Sequence, residues 1–341
     1  MTNTVYITGA AGLVGSELVR LFCFNNWKVK GCDTFIGGLE SNLDLFKRKN
    51  VIDFKEIDIL DYKSLREHIG NSDIVFHCAA LPYEGLSVFS PKIVTENIVG
   101  GTVSVASACL ANGVKTLVNF SSMARYGAQK PPFTEDLPRS PEDPYGLAKA
   151  QAEEHLELLN KLHGLSYFTV VPHNVVGVGQ RYMDPYRNVV AIMINRTLLK
   201  KPIIIYGDGE QKRSFSNIRD CGDAIWNLVN SDRDLTGEVF NIGPDDNEIT
   251  IKDLAYRVGH HCGIYPKIEY FPDRPAEVKN AWCSSEKIKT QFNYNTTRNI
   301  DDTIIEMVNW ISDRGAEEFN YALDLEFITE STPKTWVERL M

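Results

Sequence analysis

Short apolar strands alternate with amphipathic helices through the first half of the chain, and this rhythm restricts the possible folds more than any other feature. Strands that alternate with helices pair in parallel, and the helices cover both faces of their sheet. We therefore expect an α/β fold built on a doubly wound parallel sheet. The predicted strands are 4–9, 27–33, 51–58, 72–80, 115–122 and 166–173, and the predicted helices between them are 13–26, 61–69, 91–112 and 143–163.

The rhythm breaks after residue 173, where a polar loop at 177–187 leads into isolated helices and strands. A length of 341 residues exceeds the ~100–200 typical of one domain, so a second lobe is expected. We assign residues 1–173 and about 217–245 to the sheet domain, and residues 174–216 and 246–341 to a smaller, mixed α/β lobe. The closing stretch TESTPKTWVERLM shows no pattern to which we can assign a function.

The charge balance argues against nucleic acid as a partner. The chain has 36 Lys and Arg residues against 45 Asp and Glu residues, a formal net charge of −9, whereas nucleic-acid affinity depends largely on neutralising phosphates. The seven cysteines form no C-x-x-C pair and no His, Asp and Glu residues cluster, so we expect neither disulfides nor a metal site. The first residues run directly into a strand, and no apolar run reaches ~18 residues. We therefore expect no membrane partner and a cytoplasmic location.

A glycine-rich turn joins the first strand to the first helix in TVYITGAAGLVGSELV. Gly9, Gly12 and Gly15 would allow a tight turn, close approach of the backbone to a pyrophosphate, and packing of helix on strand. Asp33 closes the second strand, where a carboxylate can accept hydrogen bonds from the adenosine ribose. No arginine follows Asp33, so a 2′-phosphate would meet uncompensated repulsion. The pattern predicts NAD rather than NADP.

Three further motifs follow in order: HCAALP after the fourth strand, SSMARYG after the fifth, and Tyr145 four residues before Lys149 on one helix face. With the G-x-x-G-x-x-G turn, they make residues 3–315 resemble the extended short-chain dehydrogenase/reductases, and more narrowly the NAD-dependent nucleotide-sugar epimerase/dehydratase family. The resemblance implies a Rossmann-type sheet with a smaller substrate lobe. It also implies that Tyr145 is the acid/base, that Lys149 lowers its pKa and holds the nicotinamide ribose, and that Ser122 binds the reacting sugar hydroxyl.

The resemblance further indicates which residues contact the two ligands. Asn174 and the pair Asn188–Val189 resemble diphosphate contacts, Arg213 and Arg274 would clamp the phosphates, and Glu277 would bind the nucleotide ribose. Tyr206 would stack on the base, and Asp58 is either an adenine contact or a helix cap. The predicted cofactor-binding residues are Gly9, Ala11, Gly12, Leu13, Val14, Gly15, Asp33, Asp58, Ile59, Cys78, Ala79, Ala80, Asn97, Tyr145, Lys149 and Pro172. The predicted substrate-binding residues are Pro82, Tyr83, Ser122, Met123, Ala124, Asn174, Asn188, Val189, Tyr206, Arg213, Arg274 and Glu277.

One difference from the family's sequence pattern restricts the reactions that this chain could catalyse. Its 4,6-dehydratases carry an Asp-Glu pair after the catalytic Ser or Thr, whereas this chain has Met123 and Ala124, which have no exchangeable proton. This favours a UDP-sugar 4-epimerase with a 4-keto intermediate, acting on a glucose/galactose pair or an N-acetyl or uronate analogue. The alternatives are a dehydratase or lyase that uses Glu84 or Cys78 as the acid, and a non-catalytic NAD-binding regulator.

We also expect a homodimer. Two helices, 91–112 and 143–163, carry apolar residues on more than one face. Contact with the sheet alone cannot cover all of these residues. Pairing them across a two-fold axis would bury the surplus in a four-helix interface. The residues concerned are Val99, Val103, Val105, Leu110, Leu156, Leu158, Leu159 and Leu162.

Overall fold

The computed structural model describes residues 3–245 and 248–341. Its strands are, in chain order, β1 Thr4–Thr8, β2 Lys28–Asp33, β3 Ile52–Glu56, β4 Ile74–His77, β5 Thr116–Phe120, β6 Tyr167–Pro172, β7 Val175–Val176, β8 Ile203–Tyr206, β9 Lys212–Arg213, β10 Ser216–Asn217, β11 Val239–Ile242, β12 Ile249–Thr250, β13 Ile268–Phe271 and β14 Asn280–Ala281. Its α-helices are α1 Leu13–Phe24, α2 Asp44–Arg48, α3 Tyr62–Ile69, α4 Glu84–Ser87, α5 Pro91–Thr95, α6 Gly101–Asn112, α7 Pro144–His163, α8 Val189–Leu198, α9 Ile218–Val229, α10 Ile251–His261, α11 Glu286–Phe292, α12 Ile300–Arg314 and α13 Lys334–Val337.

Seven parallel strands form one sheet in the order β11-β6-β5-β4-β1-β2-β3. The α/β prediction is therefore confirmed, and each of the six predicted strands is present within a few residues of its expected bounds. The strand order reverses direction between β1 and β4, which pair from Val5 with Ile74 to Thr8 with His77. In open α/β sheets, ligands bind beyond the carboxyl ends of the strands at this reversal.

Helices cover both faces of the sheet, as doubly wound sheets require. One face buries a large apolar cluster that contains Leu18 and Phe22 of α1 and Ile225 of α9. The opposite face packs Leu65 of α3 and Leu156 of α7 against β1 and β4. Side chains near Ile288 of α11 also enter the first cluster, so the chain returns to the sheet domain after β11.

The second lobe has its own core between α8, α10 and α12. Its small sheets follow the orders β12-β9-β14 and β13-β8, which fits the mixed character expected of it. The domain division itself stays a prediction, and two of its boundary residues, Met1 and Asp246, lie outside the described residues.

Residues 316–341, called here the C-terminal segment, run back over both parts of the molecule. The Asn320 N–H donates to the Met183 carbonyl at 2.8 Å, and the Glu326 carboxylate accepts from the N–H groups of Lys92 and Ile93 at 3.0 and 2.7 Å. Trp336 is 4% exposed, and its ring lies 5.3 Å from that of Tyr186. The segment is thus an ordered part of the fold.

The helical stretch 91–112 contains α5, a π-helical turn at Glu96–Gly100, and α6. Contrary to our expectation, its length and mean hydropathy of 1.4 would by themselves suffice for a membrane span. It packs, however, inside the sheet domain, where Val105, Ala106 and Cys109 are fully buried. Apolar character here therefore has a structural explanation in the core.

Candidate active site

A large cavity opens at the reversal of strand order, with a volume of about 450 Å³. Pockets for small molecules usually measure about 300–1,000 Å³. One wall follows the carboxyl ends of β1, β2, β4, β5 and β6, and the other comes from the second lobe and the C-terminal segment. We call these the sheet wall and the lobe wall.

The glycine turn forms the floor of the sheet wall, and two of its glycines are required there. Gly9 has a φ of 66°, and a Cβ on it would lie 2.8 Å from the Ala79 backbone. A Cβ on Gly15 would lie 2.0 Å from the Gly9 carbonyl oxygen. Since α1 begins immediately after Gly12, its free N–H groups face the cavity, as an anion site requires.

Asp33 lies at the end of β2 and is 8% exposed. Its carboxylate accepts the Ala11 N–H at 2.9 Å and the Phe35 N–H at 2.7 Å. Burial raises the pKa of Asp33, and these backbone hydrogen bonds offset part of that effect. The side chain is therefore held in one orientation with room at the cavity for a diol. Asp58 is exposed at the cavity edge, and its carboxylate accepts the Leu60 N–H in the turn before α3. The N-cap of α3 is Asp61, so the helix-cap alternative for Asp58 is wrong and the adenine contact stays a prediction.

Ser122, Tyr145 and Lys149 converge on the cavity from β5 and α7. Asp143 caps α7 by accepting the Gly146 N–H at 2.8 Å, and the Tyr145 N–H donates to the Ser87 hydroxyl at 3.1 Å. Ser122 begins a short 3₁₀ turn, where its hydroxyl accepts the Ala124 N–H at 3.2 Å. Capping and catalysis are thus compatible for this serine.

The pKa values of Tyr145 and Lys149 differ from our expectation. Burial raises the pKa of Tyr145 above its ordinary value, and the Glu84 and Asp143 carboxylates add to this effect. A hydrogen bond with the Ser122 side chain and the charge of Arg187 act in the opposite direction without offsetting it. Burial also lowers the pKa of Lys149 to about 8, and its Nζ donates to the Phe120 carbonyl at 2.7 Å. In this arrangement burial outweighs any effect of the lysine on the phenol.

The sheet wall fits a dinucleotide. It combines glycines too crowded for a Cβ, a helix N-terminus and a fixed carboxylate in one continuous surface. Fifteen of the sixteen predicted cofactor residues line the cavity; the exception is Ala11, whose N–H serves Asp33.

Two arginines and a glutamate form the charged centre of the lobe wall. Glu277 bridges them, accepting from Arg213 at 3.0 Å and from the Arg274 Nε at 2.9 Å. Burial by itself would raise the pKa of Glu277, but the two guanidinium groups more than offset it and hold the pKa below its usual range. An anionic ligand would therefore meet two cations already oriented by one carboxylate.

Other predicted lobe residues also have structural partners. The Tyr206 hydroxyl hydrogen-bonds the Thr335 hydroxyl at 2.5 Å, and the Arg274 guanidinium lies 4.9 Å from the ring centre, covering one face. Asn174 donates to the Ser214 carbonyl at 2.9 Å, and Asn188 caps α8 through the Val190 N–H at 3.0 Å. All three predicted residues still line the cavity, as do Val189 and Pro82.

Three predicted substrate residues do not line the cavity. Tyr83 is 1% exposed, because its hydroxyl donates to Asp184 at 2.7 Å and turns the ring into the protein. Met123 packs against a small cluster around Tyr126 and Phe133, and Ala124 packs against the cluster that includes Ala148. The positions that hold acids in dehydratases therefore carry apolar groups directed at the core.

The structure adds residues to the site that sequence reasoning missed. Trp336 and Met341 line the lobe wall, although nothing in the local sequence links them to a ligand. A Cβ on Gly85 would lie 3.0 Å from the Trp336 ring, so the glycine makes room for the tryptophan. Arg187 also lines the cavity, and its guanidinium lies 5.7 Å from the Tyr83 ring centre. Within the part of the chain that the structure describes, no group of three or more potential metal ligands is present.

Comparison with known proteins agrees with this geometry. The model of the NAD dependent epimerase/dehydratase family matches residues 5–243. The chain is 28% identical to a UDP-glucuronate 4-epimerase of Thermodesulfobacterium geofontis (89% of this chain, 94% of the relative) and 30% identical to a UDP-glucose 4-epimerase of Mycolicibacterium smegmatis (81% and 88%). A crystal structure of a Bacillus cereus UDP-glucuronic acid 4-epimerase with UDP-glucuronic acid and NAD superposes with a TM-score of 0.86 at 26% identity, covering 92% of this chain and all of that one.

Proposed function

Because the chain belongs to the NAD-dependent epimerase/dehydratase family, we propose that it is a UDP-sugar 4-epimerase, which inverts the C4 hydroxyl through a transient 4-keto sugar. The observation that carries this proposal is the set of groups at the reacting end of the cavity. Ser122, Tyr145 and Lys149 meet there, whereas Met123 and Ala124 point into the core. These residues support oxidation and reduction at one carbon and supply no acid for elimination.

In this mechanism Tyr145 removes the proton of the C4 hydroxyl and later returns it. NAD, when bound, supplies the hydride acceptor and donor for C4, and the fifteen residues of the sheet wall would hold it. Lys149, buried with its ammonium on the Phe120 carbonyl, lies one helical turn from the phenol and would orient the nicotinamide ribose. Ser122 would hold the reacting hydroxyl against the phenol. Positioned acid/base groups of this kind contribute about 10²–10⁴-fold to rate.

The lobe wall would bind the nucleoside diphosphate. Arg213 and Arg274 present planar guanidinium groups, which pair well with phosphate oxygens. Their shared partner Glu277 fixes both in place. The similarity to UDP-sugar 4-epimerases supports uracil as the base.

A dehydratase or lyase reaction is the second candidate, and one observation favours it. Glu84 lines the cavity, and burial in the cleft, together with the nearby Asp143 and Glu277 carboxylates, raises its pKa to about 7. Such a group could move a proton at C5 or C6. Cys78 is a poor substitute, since burial raises the pKa of its thiol well above the ordinary value.

Solvent exchange separates the two reactions. When product is formed in D₂O, an epimerisation confined to C4 should leave no deuterium on carbon, because the hydrogen removed from C4 returns without passing through water. Proton NMR and mass spectrometry of the products from UDP-glucose, UDP-N-acetylglucosamine and UDP-glucuronate would measure this. Deuterium at C5 or C6 would overturn the 4-epimerase proposal and favour the dehydratase, whereas a protein that binds NAD without converting any sugar would be the non-catalytic regulator.

We also propose a homodimer through α7 and the stretch 91–112. Leu147, Leu158 and Leu162 of α7 are 49%, 51% and 61% exposed, and their spacing places them along one helix face. Val105 and Leu156, which we had counted as surplus, are instead buried in the protomer's core. Light scattering at micromolar concentration should give twice the 38.4 kDa chain mass. A monomer would contradict the proposal, and Leu158→Lys should disrupt the dimer.

A further inference from the structure

Glu84 occupies a position in the cavity that the proposed chemistry does not use. It begins α4, and its carboxylate is exposed to the cavity, with no hydrogen-bond partner within residues 3–245 and 248–341. The Glu84 carboxylate lies close enough to interact electrostatically with Tyr145 and with Arg274, and two contacts of α4 agree with this position. At one end, the Ser87 hydroxyl accepts the Tyr145 N–H at 3.1 Å. At the other, the position of a Cβ on Gly85 is 3.2 Å from the Arg274 guanidinium.

Glu84 therefore lies between the phenol and the arginine pair. If the proposed function holds, a bound sugar has its C4 hydroxyl at Tyr145 and the diphosphate on C1 at Arg213 and Arg274. C1 and C4 are opposite ends of a pyranose ring, so the ring must lie alongside Glu84. Substituents on that ring then face a carboxylate at short range.

The groups around Glu84 do not neutralise it. Asp143 and Glu277 are carboxylates, and Arg213 and Arg274 are already paired with Glu277 and would be further occupied by phosphate. Arg187 lies near the Tyr83 ring and attracts the Asp184 carboxylate. Within the described residues, no ion pair thus neutralises the Glu84 carboxylate.

We propose that Glu84 is a specificity-determining residue: it makes the sugar subsite accept neutral hexoses and reject hexuronates. A neutral sugar can donate hydroxyl hydrogen bonds to the carboxylate, whereas a C6 carboxylate is repelled by it. At a separation of about 6 Å and an effective dielectric constant of about 20–40, this repulsion weakens binding about 10- to 100-fold. The chain would then differ in substrate from the UDP-glucuronate 4-epimerases to which it is similar.

The exclusion should depend on pH. Burial and the neighbouring carboxylates raise the pKa of Glu84 to about 7, so it is ionised at pH 8 and largely protonated at pH 6. The discrimination against a uronate is therefore greatest above pH 7 and decreases as the pH falls through 7. The three arginines that face the site, Arg213, Arg274 and Arg187, stay charged across this range. Lys149, whose pKa burial lowers to about 8, gains charge as the pH falls, and the pKa of the neighbouring Asp143 is raised by burial. The Glu84→Gln variant separates the contribution of Glu84 from theirs.

Titration calorimetry of the NAD-loaded protein with UDP-glucose and UDP-glucuronate tests the proposal. At pH 8 the wild type should bind UDP-glucose at least about tenfold more tightly than UDP-glucuronate. Conversion of UDP-glucose into its C4 epimer does not affect this comparison, because both epimers are neutral sugars. Glu84→Gln should reduce the ratio of the two affinities to about threefold or less. Measuring the wild type at pH 6 should reduce this ratio in the same way. Glu142→Gln removes an exposed carboxylate outside the cavity lining and should keep the wild-type ratio.

Equal or tighter binding of UDP-glucuronate by the wild type would overturn the proposal, and so would an unchanged ratio in Glu84→Gln. If that variant fails to fold, Glu84→Ala, which also removes the carboxylate, takes its place. Because binding is measured without reference to turnover, the outcome is independent of the reaction assigned above. A protein that discriminates as expected but exchanges deuterium at C5 would retain this inference and lose the 4-epimerase assignment.

Discussion

The two walls of the cavity hold their polar groups in different ways. On the sheet wall, the groups come from turns that directly follow strands, and backbone N–H groups orient them, as Ala11 and Phe35 orient Asp33. On the lobe wall, long side chains from distant segments orient one another, as Glu277 does for Arg213. The first wall is thus fixed by local chain geometry, and the second by contacts that form only when the whole chain has folded. Substitutions should accordingly affect the two ligands separately.

The largest effect on turnover is expected from Tyr145, which lies where the two walls of the cavity meet. Tyr145→Phe should lower kcat by about 10²–10⁴-fold, because it removes the acid/base while the phenyl ring preserves packing. NAD content and nucleotide-sugar affinity should stay near wild type in calorimetry. Ser122→Ala should cost less, since it removes one hydrogen bond and leaves the base. Retention of more than a tenth of the turnover in Tyr145→Phe would show that the chemistry lies elsewhere.

An intermediate effect is expected from the sheet wall alone. Asp33→Ala should weaken NAD binding by about 10- to 100-fold, because hydrogen bonds to charged groups contribute about 1.5–3 kcal/mol. UDP affinity should not change, which fluorescence titration with each ligand can measure. Glu56→Ala is the matched control, since Glu56 pairs in register with Asp33 on the neighbouring strand and lies outside the cavity. A preference for NADP, or equal losses for both ligands, would contradict the separation of the walls.

The smallest effect is expected from the C-terminal segment. Thr335→Val keeps the side-chain shape and removes the hydroxyl that bonds Tyr206, so nucleotide affinity should fall about 2- to 10-fold, the equivalent of one ordinary hydrogen bond. NAD affinity and kcat should be unchanged. Thr332→Val, in the same segment, removes a bond to the Thr329 N–H instead and should leave both ligands unaffected. If the two variants behave alike, the segment acts only through overall stability.

The same contrast explains what could be predicted from sequence. The glycine turn, Asp33 and the Tyr145–Lys149 pair occur within short stretches whose spacing determines their geometry, so strand and helix patterns sufficed to place them. The orientation of Tyr83 depends on Asp184, about a hundred residues away, and the exposure of Glu84 depends on how α4 packs. Trp336 reaches the cavity only because Gly85, far earlier in the chain, leaves space for it. Long-range packing of this kind has no local signature.

The position of Trp336 near one end of the chain has a consequence for biosynthesis. Translation proceeds from the amino terminus, and the predicted cofactor residues, from Gly9 to Pro172, all emerge before the lobe wall is complete. The sheet domain also needs β11, α9 and α11 for its core, and these too are translated before Trp336 and Met341. The groups of the sheet wall are therefore synthesised first, and the lobe wall gains Trp336 only late in translation.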